Sequence, residues 1–531
     1  MNTWEMARRS VQVARGLRRL VRDPVTPEEA RRTIADEVAR RDERLLTSLD
    51  RLVWPFPTSP VHRLLDAAAL EHDDVAALVR AHGVTGALER LRDAGVYLSY
   101  EEYHGRSEVR RGTTTFTCTP PDLFNPVTTA DYLATTGGTS GTGTPVELSF
   151  AWQRRQGVQR PVQHEMAGIR GLPTAVWLPV FPSAAGFGAV MKNAAGGASP
   201  ARWFSQVPTD LAGISDHKAT ANRYLPALNA LARTGLPSPE HVPSDAPEPV
   251  VRWLSETVGD AGGAGITGYA SSITAAARWA IEHGVDLSGV VAFPSSEPVT
   301  AGKLATMSAA GMRPFPMYAF VPEGTVALRC QHCADEEYHV WEQDVAVIER
   351  TRSRGDGQEV QAFLWTSLAL EAPRVLLNVE NDDYGTVTHD VDCACDLGSL
   401  GLRTRISGIR GISKVVTAGI SLDGELFDHL TEVALPERLG GRAGDYQFVE
   451  QDSPTGTVVV LRVHPRVGEL DVGAARDALR SALSTSDNGA LAASVWGASD
   501  GLVVERDAPI VTLAGKTLSF DRLRAAAPRT G

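Results

Sequence analysis

The sequence predicts an α/β protein in two parts: a large N-terminal domain of mixed sheets and helices, then a small C-terminal α+β domain. Three observations predict it. Strand and helix patterns alternate from residue 175 onward, the pattern resets after about residue 410, and the first 54 residues are charged and helical in pattern. A strand-turn-helix-strand rhythm lays helices against sheets that are at least partly parallel. The expected boundaries are 1–110 for a helical N-terminal region of the large domain, 111–410 for its core, and 411–531 for the small domain.

Taken in order, MNTWEMARRSVQVARGLRRLVRD is Arg-rich and has neither an apolar core nor a small-residue cleavage site. It reads as a helix with a solvated basic face, not as a secretory signal. The turn-rich WPFPTSP (54–60) is followed by short helices, with no strand pattern before about residue 95. TTTFTC (113–118) reads as a short strand and PPDLFNP as a turn cluster. AVWLPVF (175–181) is an apolar strand, and a Gly/Ala-rich segment follows at 183–198. ITAAARWAIEHGVDL (273–287) is an amphipathic helix ending near Gly284, and VVAFPSS (290–296) is a strand with a turn. KLATMSAAGM (303–312) is a helix and RPFPMYAF (313–320) a single strand. QAFLWTSLA and RVLLNVE supply two more strands within 354–380. After residue 410, DGELFDHLTEVAL and VGAARDALRSALSTS read as helices, and TGTVVVLRVHP (455–465) and GLVVERD as strands. A stretch of roughly 110 residues is an ordinary size for a separate small domain.

The 531 residues are 43% hydrophobic and 22% charged, an ordinary globular balance. A net charge of -12 argues against nucleic acid, which needs a basic face. No apolar run approaches the roughly 18 residues of a membrane span. Lysine occurs only at 192, 218, 303, 414 and 516, so each lysine in a motif is conspicuous. Of the five cysteines, Cys118, Cys330, Cys333, Cys393 and Cys395, four form two tight pairs. A reduced, cytoplasmic setting with a metal site fits these pairs better than disulfides.

Residues 132–146 read YLATTGGTSGTGTPV, with no large side chain between Thr136 and Pro145. Glycines let the backbone approach a ligand, and free N–H groups and hydroxyls can surround phosphate oxygens. No Gly-Lys-Ser/Thr follows, so this is not a Walker loop. The stretch resembles the Ser/Thr/Gly-rich phosphate loop of the adenylate-forming (acyl-CoA ligase) superfamily, in its phenylacetate-CoA ligase-like branch. The family's S-S-G-T-T-G-x-P maps onto Thr136, Gly137, Gly138, Thr139, Ser140 and Gly141, with two extra residues before Pro145. The resemblance makes these six the triphosphate cradle and gives Thr139 a catalytic part.

Further motifs resemble the family's in the family's order, from about residue 55 to 525. Its "G-A/G-E-P" turn on the adenine corresponds to Ser295-Ser296-Glu297-Pro298. Its "Y-G-x-T-E" corresponds to Tyr318-Ala319-Phe320-Val321-Pro322-Glu323, one residue longer and without the Gly and Thr. The resemblance puts Tyr318 and Ala319 at the nucleotide and gives Glu323 to magnesium, a job for a hard anionic oxygen. The family's "E-C-x5/6-H-x-W-E" and later C-x-C correspond to Cys333, His339, Trp341-Glu342 and Cys393-Ala394-Cys395. Cys330 adds a second option, so four of Cys330, Cys333, His339, Cys393 and Cys395 would hold a structural zinc. "Y-R-T-G-D-x-G" falls on Asn381-Asp382-Asp383, which makes Asp383 the ribose ligand. The hinge "G-R-x-D-D" falls on Arg403 to Lys414 without its aspartate, leaving Arg405 or Arg410 for the ribose. The terminal "P-x-T-x-x-G-K" resembles Pro509 to Lys516 with one extra residue, and its lysine offsets charge as pyrophosphate leaves.

The fold implied is a large adenylate-forming domain with a small mobile C-terminal lid. The reaction implied is ATP- and magnesium-dependent activation of a carboxylic acid, expected to be aromatic, as an acyl-adenylate. CoA or another acceptor, such as an amine or a carrier protein, would then take the acyl group. The acid pocket would draw on Tyr269, Ser271 and the 184–198 segment, whose small residues suit a flat acid. Activation of nitrite or another small oxyanion, and a member that only binds nucleotide, stand as alternatives. The expected partners are the small-molecule acid and a second copy in a homodimer, with no nucleic acid and no membrane.

Overall fold

The structure is a computed structural model that describes residues 3–135, 145–180, 183, 185–209, 229–244, 246–296, 299–320, 323–353, 359–411, 415–417, 420–422, 424–453, 456–483, 502–511 and 517–522. The chain forms two compact units. One comprises Met1–Thr351 and Gln361–Ile409, the other Arg352–Val360 and Arg410–Gly531.

The larger unit begins with helices α1 (Thr3–Arg22), α2 (Pro27–Ala39), α3 (Arg41–Leu52), α4 (Pro60–Ala67), α5 (His72–Asp93) and the single turn α6 (Tyr100–Tyr103). The starts of α2 and α4 follow from side chains that take orphan N–H groups. Thr26 accepts from Glu29 N ahead of Pro27, and Ser59 accepts from His62 N ahead of Pro60. Leu45, Leu49, Val79, Leu88 and Leu91 form one core with Ile348, Phe363 and Trp365, so these helices belong to the large unit.

The short strands β1 (Val109–Arg111) and β2 (Thr114–Phe116) pair antiparallel. So do β3 (Tyr132–Thr135) and β4 (Pro145–Leu148), which bracket the Gly/Thr-rich loop. Helices α7 (Phe150–Gly157) and α8 (Gln159–Met166) follow. Then β5 (Thr174–Trp177), α9 (Ala185–Ala195), β6 (Arg202–Ser205), β7 (Pro239–His241), α10 (Glu248–Ala261), β8 (Ala264–Tyr269), α11 (Ala270–Glu282), β9 (Val290–Ser295), α12 (Ala301–Ala309) and β10 (Arg313–Pro314) alternate. The six strands form one parallel sheet in the order β10-β9-β8-β5-β6-β7. Every residue of β5 and β9 is buried, as expected for a parallel sheet covered on both faces.

The expected single strand at 313–320 is two strands in two sheets. Pro314 and Pro316 lack the N–H that a continuous ladder needs. Phe315 N closes onto Ala292 O at 2.7 Å, and β11 (Met317–Phe320) opens a second sheet. That sheet adds β12 (Gly324–Leu328), β13 (Glu337–Val340), β14 (Val345–Ser353), β15 (Glu359–Ser367), β16 (Val379–Thr388) and β17 (Arg405–Gly411), in the order β11-β12-β13-β17-β16-β15-β14. The expected strand RVLLNVE also shifts. Asn378 sits at φ 53°, its amide nitrogen bonded to Leu88 O and Val96 O, and the strand starts only at Val379. Asp383 therefore lies within a strand. The single-turn helix α13 (Asp396–Ser399) follows Cys395.

The smaller unit has a four-stranded sheet. Strands β20 (Tyr446–Ser453) and β21 (Gly456–Val463) run antiparallel, flanked in parallel by β23 (Phe520–Arg522) and β22 (Leu502–Glu505). A hairpin of β18 (Val415–Thr417) and β19 (Ile420–Leu422) precedes it. Helix α14 (Gly424–His429), the wide turn Leu430–Ala434 and α15 (Leu435–Leu439) bury Phe427, Leu430 and Leu435 against Phe448 and Leu461. Leu479 on α16 (Val472–Leu483) completes that core. Among the described residues, no helix is long and apolar enough to cross a membrane.

Candidate active site and cysteine centre

In parallel sheets ligands collect outside the carboxyl ends of the strands. Here those ends present Tyr269 from β8, Ser295 and Ser296 from β9, and Ser205 from β6. Ser296 sits at φ 65°, unusual for a residue with a Cβ, so the chain bends sharply as it leaves β9. Tyr269 is buried, and Ser271 is half-buried on the first turn of α11. Glu297 and Pro298, the next two members of that motif, lie outside the described residues, as do Thr136, Gly137, Gly138, Thr139, Ser140, Gly141 and Lys516.

Two motif residues distant in sequence meet. The Tyr318 hydroxyl on β11 donates to Asp383 Oδ2 on β16 at 2.5 Å. Asn381 Nδ2 reaches the same carboxylate oxygen at 3.1 Å and the Tyr318 oxygen at 2.8 Å. Asp383 Oδ1 has no hydrogen bond among the described residues, so one oxygen is anchored and the other is free to accept. Burial pushes the Asp383 carboxyl up to about 7, opposed by the hydrogen bond from Tyr318. Ala319 follows Tyr318 on β11, where the β11–β12 register shifts.

Glu323 stands at the turn from β11 into β12 and is fully buried. Ser367 Oγ lies 3.4 Å from Glu323 Oε1, but its single proton is better spent on Arg374 O at 3.0 Å. Glu323 Oε2 has no hydrogen-bond partner among the described residues. Burial pushes this carboxyl up to about 8, partly offset by the nearby Arg374 guanidinium. A buried acid with an orphaned oxygen is the donor that a hard cation would complete.

The cysteines gather from two separate segments and the histidine from a third. Cys330, His339, Cys393 and Cys395 offer ligand atoms that all lie within 4.8 Å of one another. Cys330 and Cys393 sulfurs are 3.8 Å apart, and Cys395 Sγ is 3.5 Å from His339 Nε2. A tetrahedral zinc with ordinary bond lengths would separate two thiolates by about 3.8 Å and a thiolate from an imidazole nitrogen by about 3.6 Å. His339 Nδ1 donates to Leu402 O at 3.0 Å, which fixes the tautomer and leaves Nε2 as the donor atom. Backbone N–H groups of His332 and Gly398 point at Cys330 and Cys395. Cys333 lies outside this group of four, its sulfur 3.4 Å from that of Cys330. Arg405 pairs with Glu337 at 2.7 Å, next to His339 in the β13–β17 register. It makes no described contact with Asp383.

The motifs did not flag Asn381, Ser367, Arg374 or Lys192. Two sequence signals touched Lys192, the scarcity of lysine and its place in the 184–198 segment given to the acid pocket.

No family model matches the sequence, and no match was found among curated proteins. The structure aligns with 2-hydroxyisobutyryl-CoA ligase in the postadenylation state, in complex with 2-HIB-AMP, at a TM-score of 0.52 and 14% identity, over 92% of this chain and 89% of that one. A second structure of that ligase, with R3-HIB-AMP, aligns at a TM-score of 0.48 and 14% identity, over 96% and 92%. The chain thus has the fold of an adenylate-forming ligase, with a large N-terminal and a smaller C-terminal domain.

Proposed function

We propose that this chain uses ATP to activate a carboxylic acid. The carboxylate attacks the α-phosphorus, the bond to pyrophosphate breaks, and an acyl-adenylate remains. A nucleophile then attacks the acyl carbon and AMP leaves. The observation that supports this best is the hydrogen-bonded Tyr318–Asp383 pair inside an adenylate-forming fold. Residues 65 positions apart share one polar contact, and the carboxylate keeps an open oxygen for a ribose hydroxyl.

Tyr318, Ala319 and the Ser296–Pro298 turn are assigned to the adenine and ribose, and Thr136–Gly141 to the phosphates. Glu323 would hold magnesium, which neutralises phosphate charge when bound. Lys516 is assigned to the reacting carboxylate and α-phosphate. Cys330, His339, Cys393 and Cys395 are assigned to zinc. Four protein ligands leave no open position, so that metal would be structural. Arg405 is reassigned from the ribose to the rim of this centre, where its charge balances thiolates.

The acid is taken to be flat and aromatic, on the small residues of the 184–198 segment. The acceptor has two readings. CoA suits the fold. An amine, a hydroxyl or a carrier protein is favoured by the segment Arg403–Lys414, which has no acidic residue where relatives have a hinge aspartate.

Pyrophosphate release over a panel of acids, with and without CoA, tests the reading. Acid-stimulated release is expected, lowered at least about 100-fold in Lys516→Ala, the scale for removing one charge-stabilising group. Release unchanged in Lys516→Ala would remove the role assigned to that residue.

A further inference from the structure

Helices α7, α8 and α9 meet where side chains are absent. A Cβ on Gly157 would lie 2.6 Å from Ala195 Cβ, and one on Gly196 only 2.5 Å from Arg160 Cβ. This close crossing brings Gln156 and Lys192 together at the turn that follows Glu323. A Cβ on Gly324, at φ 75°, would sit 2.6 Å from Gln156 Oε1 and 3.7 Å from Lys192 Nζ. Glycine is favoured there by backbone conformation, and the Gln156 amide packs onto its bare Cα.

The polar groups at this turn are incompletely matched. Gln156 is 1% exposed; its Oε1 accepts from Thr325 N at 3.0 Å, and its Nε2 has no hydrogen-bond partner among the described residues. Lys192 Nζ makes no hydrogen bond or ion pair with any described residue. Arg160 is 3% exposed and meets only neutral groups: Thr325 Oγ1 at 3.0 Å, Met317 Sδ at 3.5 Å and the Gln163 amide oxygen. Neither nearby acid makes a described contact with Lys192 or Arg160. Asp344 is held by Arg155 at 2.5 Å and Gln159 at 2.8 Å, and Glu323 faces Ser367 and Arg374. Two cations therefore lie near one another without an anion, an arrangement that is costly unless a ligand supplies the charge. Burial and mutual repulsion bring the Lys192 ammonium down to about 7.

We propose that Lys192 and Gln156, backed by Arg160, form a subsite for an oxyanion group of a molecule bound in the acid-activating site, in the first instance a second carboxylate on the acid itself. The subsite rests on the reading of Glu323 and its turn as part of that site. Lys192 supplies the charge and Gln156 Nε2 a hydrogen bond. The partner group can come from a dicarboxylic acid or from a phosphate of the nucleotide, and the test separates the two.

Thermal stabilisation of the full chain is measured with succinate, glutarate and phthalate, with the monoanions butyrate and benzoate, and with pyrophosphate. Wild type is compared with Lys192→Met, Gln156→Glu and the exposed control Arg170→Met. Stabilisation by a dicarboxylate, at least tenfold weaker in apparent affinity in Lys192→Met and kept in Arg170→Met, is the expected result. Stabilisation by pyrophosphate alone, with the same dependence on Lys192, assigns the subsite to nucleotide phosphate. Gln156→Glu puts a carboxylate beside the ammonium, so this variant should melt higher than wild type and lose the anion effect. Anion responses equal in all four proteins would overturn the proposal. These readouts need no turnover, so they stand or fall separately from acid-dependent pyrophosphate release.

Discussion

Asp383 has one oxygen crowded with donors and the other open, in a setting that raises its pKa to about 7. The carboxylate form accepts hydrogen bonds, and the protonated form accepts them poorly. Binding of a ribose hydroxyl should therefore tighten as pH rises through 7. Adenosine is the appropriate probe, since it carries no phosphate that titrates there. Its affinity is expected to rise several-fold between pH 6 and 8 in wild type. In Asp383→Asn it should be flat with pH and about tenfold or more weaker, the scale of a hydrogen bond to a charged group. The same shift acts on folding with the opposite sign. The folded chain holds this proton where the unfolded chain, near 3.8, has lost it, so the carboxyl's share of stability falls as pH rises from about 4 to 7. A pH-independent adenosine affinity in wild type would remove Asp383 from the ribose.

At the scale of elements, the cysteine centre ties the strand β13 to the turn before it and the segment before α13. The sequence showed two tight pairs and a histidine, and left open which four would gather. Geometry narrows this. His339 points inward from β13 beside Arg405 of β17, and its ring is locked by Leu402, whereas Cys333 stands behind Cys330. Purified protein is expected to contain one zinc per chain. Cys393→Ser and Cys395→Ser should lose it and lower the melting temperature, because ligand binding to the folded state is folding energy. Cys333→Ser should keep it. Loss of zinc in Cys333→Ser with retention in His339→Ala would favour the all-cysteine set. Other elements were legible only in part. Alternation of apolar and helical patterns marked the strands at 175, 290 and 456 and the helices at 273, 303 and 472. Periodicity cannot see a strand that changes sheets at a proline pair, as at 313–320. Nor can it see an asparagine that turns left-handed to satisfy two buried carbonyls, as at 378.

At the scale of the molecule, the order of degenerate motifs carried more information than any one of them. Among the described residues, Ser296 leaves the end of β9, Tyr318 lies on β11, Glu323 stands just before β12 and Asp383 lies within β16. Gly157, Gly196 and Gly324 illustrate what sequence alone hides. Gly157 and Gly196 are points where two helices approach too closely for a Cβ, and Gly324 sits at φ 75° against the Gln156 amide. The helix crossing that brings Lys192 beside Gln156 rests on those contacts, and no local pattern announces it.

The central claim is that a carboxylate attacks the α-phosphorus of ATP. It is tested most directly with an acid that stimulates turnover, labelled with 18O in its carboxylate. AMP released after acyl transfer is expected to carry one labelled oxygen, because the bridging oxygen comes from the acid and leaves with the phosphate. Unlabelled AMP, or label appearing in orthophosphate together with ADP, would contradict it.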